Sequence, residues 1–237
     1  MKINCHNTTL FTVCCGVMLL LASGGTTIAE TTSLQTDATT TIALPEVDKV
    51  GKLPLETAIS QRRSVREFLE APLALEEISQ LLWAAQGITH DGWLRAAPSA
   101  GALYPLELYL VAADVESLAD GIYHYHPRHH TLQLVKHGDK LGKLAAAAYG
   151  QLWIKNSAAA IVIAADYDRT ARKYGTRAQR YVHIEVGHVA QNIYLQATAL
   201  GLGTTIVGAF MDSAVAKVVG VKGDEAPLAI LPLGKPR

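Results

Sequence analysis

The chain has 237 residues, 49% of them apolar and 18% charged, and its 21 basic and 21 acidic side chains cancel to a formal net charge of zero. That length is enough for one domain with a full core, and the composition is that of a globular protein. The balanced charge excludes a chain built to hold nucleic acid or an anionic membrane surface through its net field. All three cysteines, Cys5, Cys14 and Cys15, lie at the extreme N-terminus. There Lys2 precedes an apolar run, LFTVCCGVMLLLA, which the small residues SGGTTIA follow. A weakly positive start, an apolar centre too short to span a bilayer comfortably and a small-x-small end predict a signal peptide over residues 1–29, cut after Ala29. An uncleaved N-terminal anchor is the competing reading. With the cut made, the mature chain has no cysteine, which removes disulfides, thiolate metal sites and cysteine nucleophiles together. No twin-Arg precedes the apolar run, so the chain is expected to be exported unfolded, to a periplasmic or other extracytoplasmic compartment. Any cofactor would be acquired there.

Residues 30–50, ETTSLQTDATTTIALPEVDKV, are Thr-rich and aperiodic and read as a flexible linker. The folded domain is expected over 51–237. LPLETAISQRR predicts a short helix with Pro54 near its start. PLALEEISQLLWAAQGI predicts a strong one, with Leu75, Ile78, Leu81 and Leu82 on one face and Gly87 at its stop. LELYLVAA is a strand, and GIYHYHPRHHTLQLV is two strands joined by a turn around Pro127 and Arg128. DKLGKLAAAAYG is helical, and AAAIVIAADY is a fully buried strand. Gln179–Leu200 is a long helix stopped by Gly201. GTTIVGAF is a strand, DSAVAKVVG a short helix with Asp212 as its cap, and EAPLAILPLGKPR a last strand and tail. Helices and strands are interspersed around a hairpin, which favours an α+β sandwich over a doubly wound parallel sheet.

Several stretches carry residue types that do chemistry. In YHYHPRHH, His124, His126, His129 and His130 cluster on a hairpin, and three of them could ligate zinc. No carboxylate accompanies them within the hairpin, and a solvated hairpin face is the simpler reading. In HIEVGH the two histidines are five apart, roughly 140° round a helix, so the H-E-x-x-H zinc pattern is absent. Glu185 and His188 share a face there, but no second such pair exists, and an ordinary helix face is favoured. GLGTTIVG leaves a helix and enters a strand, the reverse of a dinucleotide fingerprint. Ser99 lacks a neighbouring base, which leaves a hydrolase reading weak. QRRSVREF is more informative. Arg62, Arg63 and Arg66 surround Ser64, and three guanidinium groups and a hydroxyl in five residues would clamp a phosphate through charge-assisted bonds. RAAPSAGALYPLELY spends about ten residues, Arg95 to Pro105, on almost no side-chain bulk, the composition of a backbone that approaches something flat. A phosphate clamp, a bulk-free bed and no protein nucleophile together point to a phosphorylated cofactor that carries the chemistry.

The stretches RRSVREF, PLALEEISQLLWAAQGI, APSAGALYPLELYLV, GIYHY, GLGTTIVGAF and LPLGKP resemble, in this order, the FMN-dependent nitroreductase family, and most of all its SagB-type, azoline-oxidase-like dehydrogenase branch. The resemblance implies a homodimeric α+β sandwich with a mixed, mostly antiparallel central sheet flanked by helices, and FMN at the subunit interface. It implies that Arg62, Arg63, Ser64 and Arg66 hold phosphate and ribityl, with Lys235 and Arg237 finishing the clamp. Pro98, Ser99, Ala100, Gly101 and Leu103 would lie along the flavin from the other subunit. Val207, Gly208 and Ala209 would pass by the ring edge, giving a backbone N–H to flavin N5, the atom that takes and gives the hydride. Simple nitroreductases carry a polar residue after the P-S stretch, whereas here Ala102, Leu103 and Tyr104 follow. The expected function is ping-pong oxidation and reduction of a small-molecule or peptide substrate. The alternatives are a flavin-binding module without turnover and an extracytoplasmic protein that binds metal through the histidine hairpin.

Overall fold

The computed structural model describes residues 40–237, so the signal-peptide reading and residues 30–39 of the linker lie outside the described residues. The rest of the linker expectation is corrected. Thr41–Ala43 forms an edge strand, β1, Leu44 is buried beside it, and the backbone of Asp48 both donates to and accepts from the Gln80 side chain. A three-residue strand carries no readable period. What orders it is the sheet edge it covers, whose N–H and C=O groups need partners.

Helices α1 (Leu55–Gln61) and α2 (Leu75–Gln86) follow, then a small hairpin of β2 (Ile88–His90) and β3 (Leu94–Arg95). A single 3-10 turn at Ala100–Ala102 leads into β4 (Leu106–Ala112). Strands β5 (Gly121–His126) and β6 (Thr131–His137) make the expected hairpin. The chain continues through α3 (Leu141–Ala147), α4 (Leu152–Lys155), β7 (Ala159–Ala165), α5 (Tyr167–Tyr174) and α6 (Ala178–Ala199). It ends in β8 (Gly203–Thr204), α7 (Asp212–Val219) and β9 (Ala226–Gly234).

Seven strands form one sheet in the order β1-β6-β5-β4-β7-β9-β8, every neighbouring pair antiparallel. Among the described residues, parallel pairing enters only through isolated bridges, Ser64 with Thr204 and Leu73 with Val115. Alternation along the strands divides two cores. Leu106, Leu108, Leu110, Ile161 and Ile163 join Leu81, Leu82, Val189 and Ile193 of α2 and α6 on one face. Tyr109, Val111, Val162 and Ile230 join Leu144 and Val215 of α3 and α7 on the other. Strand β7 lies between β4 and β9 with both faces covered, which is why its sequence, AAIVIAA, is apolar throughout.

The helix signals hold with one change. The Glu77 carboxylate accepts the backbone N–H of Ala74 at 2.8 Å ahead of α2. Gly87 ends that helix because a Cβ there would sit 2.2 Å from Trp83 Cδ1. Gly201 follows α6 with φ 71°, the left-handed stop that glycine favours. Asp212 is not a cap: Met211 is, and Asp212 lies in the first turn without a side-chain cap bond. The segment GTTIVGAF is strand only at Gly203–Thr204, after which Val207 alone rejoins β9 at Ile230.

Candidate functional site

The arginine segment leaves α1 and runs beside β8. Val65 N–H donates to Thr204 C=O at 2.9 Å, and a Cβ on Gly203 would meet Val65 Cγ1 at 2.7 Å, so the glycine permits this approach. The Tyr194 phenol, from α6, lies 3.1 Å from Ser64 Oγ and accepts the Ile206 N–H at 2.8 Å. It thereby ties the arginine segment to the residues that follow β8. Arg62 lies over the Tyr194 ring, 5.1 Å from its centroid, and Arg66 lies 5.8 Å from that of Trp153. Burial opposes ionisation of the Tyr194 phenol, yet contacts with Ser64, Thr205 and the Ile206 N–H, with the Arg62 cation, hold its pKa below the usual phenol value. The surroundings of that oxygen therefore favour negative charge.

The C-terminal tail pairs with the same segment. Leu69 N–H donates to Lys235 C=O at 2.9 Å, Arg237 N–H donates to Glu67 C=O at 3.2 Å, and Phe68 bridges Pro236. Lys235 and Arg237 are thus brought beside the segment that carries Arg66. Among the described residues none of Arg62, Arg66, Lys235 and Arg237 is paired with a carboxylate. Arg63 behaves differently: its Nη1 turns back onto the Ser60 and Arg62 carbonyls at the end of α1.

Beyond Ile206, Val207 exchanges both backbone bonds with Ile230, at 2.8 and 2.9 Å. Gly208 and Ala209 then stand exposed, and neither backbone N–H has a protein acceptor among the described residues. A Cβ on Gly208 would meet nothing within 4 Å, and the Gln151 amide steadies the segment by donating to Ala209 C=O at 2.8 Å. Free N–H groups beside open space, with a cluster of uncommitted cations on the neighbouring segment, fit a phosphorylated ring cofactor such as FMN.

The bulk-free bed lies elsewhere on the chain. Its backbone is left-handed at Gly101, Ala102 and Tyr104, with φ of 62°, 52° and 49°. Ser99 Oγ accepts the Tyr104 N–H at 2.9 Å, and Tyr104 C=O accepts from Arg169. Tyr104 Oη accepts the Arg95 N–H, and the Arg95 guanidinium covers the Tyr104 ring at 4.7 Å. Ser99 is therefore a structural hydroxyl that holds the loop. A Cβ on Gly101 would lie 2.8 Å from Tyr174 Oη and 3.0 Å from Lys173 Nζ at the end of α5. Neither side chain was singled out in the sequence. A signal was present, because Asp166 caps α5 and Arg172 and Lys173 close its last turn. Leu103 follows the turn, half-buried.

Both halves hang on α6. Tyr194 holds the clamp, and His188 Nδ1 lies 3.2 Å from Pro98 C=O on the bed. Six residues of helix put these anchors about 9 Å apart along the axis and roughly 120° apart around it. One chain thus presents the clamp and the bed in different directions.

The histidine hairpin is not the solvated face expected. His124 is buried, its Nε2 2.9 Å from Glu107 Oε2, and Glu107 also takes Arg169 at 2.8 Å. His126 pairs with Gln133, and His130 lies against Ser79, Tyr125 and the Pro45 carbonyl. The residues covering the hairpin come from distant parts of the chain, so its local sequence could not show the burial. His124, His126 and His130 each have different partners, His129 is exposed at the turn, and among the described residues no group of three or more His, Cys, Asp or Glu is arranged to hold a metal.

Comparison with known proteins gives one family. Residues 59–235 match the nitroreductase family. A nitroreductase-named protein of Methanocaldococcus jannaschii is 44% identical over 194 residues, covering 82% of this chain and 96% of its own. The microcin B17-processing protein McbC of Escherichia coli is 28% identical over 165 residues, 67% of this chain and 61% of McbC, so the chain spans less than two thirds of that relative. Among solved structures, a nitroreductase-named protein of Ralstonia eutropha superposes with a TM-score of 0.74 at 28% identity, over 83% of this chain and 90% of the other. The E. coli microcin synthetase McbBCD complex, solved with truncated pro-MccB17 bound, superposes at 0.68 and 26% identity, over 81% of this chain and 76% of the other. The sheet, the helices on its two faces and the matched span agree: the chain belongs to the nitroreductase family.

Proposed function

We propose that the chain is an FMN-dependent oxidoreductase, exported and working as a homodimer, whose two flavin sites each draw on both copies. The observation that carries this is the continuity of Arg62, Ser64, Tyr194 and the Ile206–Ala209 segment, with uncommitted cations at one end and free backbone N–H groups at the other. Bound FMN would supply hydride transfer at its N5. Arg62, Ser64 and Arg66 would bind its phosphate and ribityl, with Lys235 and Arg237 beside them. The Gly208 and Ala209 N–H groups would face the ring edge, where fixed donors stabilise developing negative charge without reorganising. Val207, bonded both ways to β9, keeps that edge rigid.

The divergent directions of clamp and bed support the second copy. A flavin held by Arg62 and Ser64 would lie away from its own Pro98–Leu103 loop, whereas a partner's loop can cover it. Likeness to McbC, named for processing microcin B17, supports a dehydrogenase that oxidises a peptide or small-molecule substrate in the SagB manner. A substrate oxidised at one flavin face would leave before an acceptor enters, giving ping-pong kinetics.

The experiment is a visible absorption spectrum of the chain from Glu30 onward, purified alone and after adding FMN. An oxidised-flavin spectrum that bleaches with a chemical reductant and releases FMN on denaturation is expected. A folded protein that stays colourless with excess FMN would overturn the proposal.

A further inference from the structure

The mechanism above makes no use of Glu185, a buried carboxyl on α6 beneath the bed. It is 2% exposed, and its Oε1 has no hydrogen-bond partner. Facing it is a second orphan. Gln86, at the end of α2, gives its Oε1 to Arg95 Nη1 at 2.8 Å, which leaves Nε2 buried and unbonded on the carboxyl's side. Ser99 lines the same cavity as the carboxyl, and its hydroxyl favours the ionised form. That hydroxyl already accepts the Tyr104 N–H, so its own proton needs an acceptor, and the carboxyl is the buried acceptor beside it. A cavity of about 270 Å³, lined by Pro98, Ser99, Ala100, Tyr181, Glu185 and His188 among others, leaves the loop room to move against the helix.

We propose that Glu185 is the positioning residue of the Pro98–Tyr104 loop, its carboxylate supporting Ser99 and Gln86 from beneath and setting how firmly the loop closes on a flavin held by the partner copy. The proposal rests on the FMN reading above. The loop has three left-handed residues in four, two of them with a Cβ, so its shape depends on outside supports. Arg169 and Arg95 hold Tyr104 from one side. On the α6 side, His188 meets the Pro98 carbonyl, and Ser99 shares a cavity with the Glu185 carboxyl.

The charge state matters because the groups around Glu185 are donors. Burial pushes the carboxyl above the ordinary carboxylate range, against Ser99, Gln86, the Arg95 cation and His188. Arg95 comes from β3, Gln86 from α2 and Ser99 from the loop. His188 and Tyr181 share α6, and Lys173 and Tyr174 of α5 lie over Gly101 on the loop's other side. The ionised form accepts from these donors, and the neutral form grips them less. FMN binding should therefore weaken as pH falls through the raised pKa of Glu185.

The test is the FMN dissociation constant, by quenching of flavin fluorescence, for the wild type, Glu185→Gln, Ser99→Ala and His188→Gln. At about pH 8, Glu185→Gln should bind roughly tenfold more weakly than wild type, the scale of one charge-assisted hydrogen bond. At the acid end of the titration the ratio should shrink to about twofold or less, because the wild-type carboxyl protonates as pH falls through its raised pKa. The second ionisation of the FMN phosphate affects all variants alike and cancels in the ratio. Ser99→Ala should lose the same pH-dependent part of the affinity; it also takes the acceptor from the Tyr104 N–H, so its apoprotein should melt lower, and the pH dependence of its FMN binding decides the matter if Glu185→Gln does not fold. His188→Gln removes a group that holds the Glu185 pKa down, so the weakening of FMN binding should set in at higher pH than in the wild type. Variants at Glu185 and Ser99 that bind FMN as wild type does at both pH values would overturn this inference alone. A wild type that binds no FMN at either pH would overturn the proposed function and this inference with it.

Discussion

Replacing Tyr194 by Phe tests whether the clamp and the flavin edge are one unit. The ring stays, so packing on α6 is retained, and only Oη is removed. The Ile206 N–H, bonded to it at 2.8 Å, loses its acceptor, while Ser64, exposed to solvent, can turn to water. The first loss is worth about 1–2 kcal/mol, and the second about 0.5 kcal/mol or less. For a domain of this size that total lowers the melting temperature by about 3–8 °C. FMN affinity should fall about tenfold, because Ser64 and the Ile206–Ala209 segment are no longer held together. Thermal melts of the apoprotein and FMN titrations at one salt concentration measure the two effects. A cycle with Ser64→Ala should show the two substitutions non-additive by about 0.5–1 kcal/mol. Tyr181→Phe, whose ring stacks edge-on to Tyr174 outside the clamp, is the control. A Tyr194→Phe protein that melts and binds FMN like wild type would refute the reasoning.

Gly101→Val places a β-branched residue at φ 62° with its Cβ against Tyr174 Oη. It should cost about 1–2 kcal/mol of stability, measured by urea unfolding, and much more of the FMN affinity; full retention of FMN would remove this loop from the site. Gly87→Ala should destabilise by about 1–3 kcal/mol, because its Cβ would meet the Trp83 backbone at 2.7 Å, where no side chain can swing away; an unchanged denaturation midpoint would show that the end of α2 shifts freely. Glu107 is depressed below its ordinary pKa: burial opposes ionisation, but the bonds with His124 and Arg169 outweigh it. Its stabilisation should be complete above the unfolded pKa and fade as pH falls through the lower folded one. Glu107→Gln should accordingly lower the melting temperature at neutral pH, with the gap to wild type closing in acid; a gap that stays constant down to the acid limit would contradict this.

Much of the fold was legible because the periods are long and the cores are on two faces of one sheet. Leu75, Ile78, Leu81 and Leu82 announce α2, and the unbroken apolar run from Ala159 announces a central strand. What escaped had its cause elsewhere in the chain. Thr41–Ala43 is a strand because β6 offers an edge, and His124 is buried against Tyr109 and Glu107 of β4. The gathering of arginines around Ser64 is plain in the sequence, but Arg63 turns back on the end of α1, a choice its spacing does not encode. Tyr194 was invisible as a site residue: in sequence it is one more aromatic residue on a helix, and only the fold sets it between Ser64 and Ile206. Glu185 reads in sequence as part of an ordinary helix face shared with His188, whereas the fold buries its carboxyl.

The divergence of the two anchors on α6 has a genetic consequence. If each flavin is clasped by the clamp of one copy and the bed of the other, two defects in the same gene need not add. A chain with its clamp destroyed and a chain with its bed destroyed would each be dead alone. Mixed, they would form a hybrid in which both lesions fall on one site and the other site is wholly intact. Half of the activity per hybrid would then return from two inactive parents, a complementation that sites confined to single chains could never show.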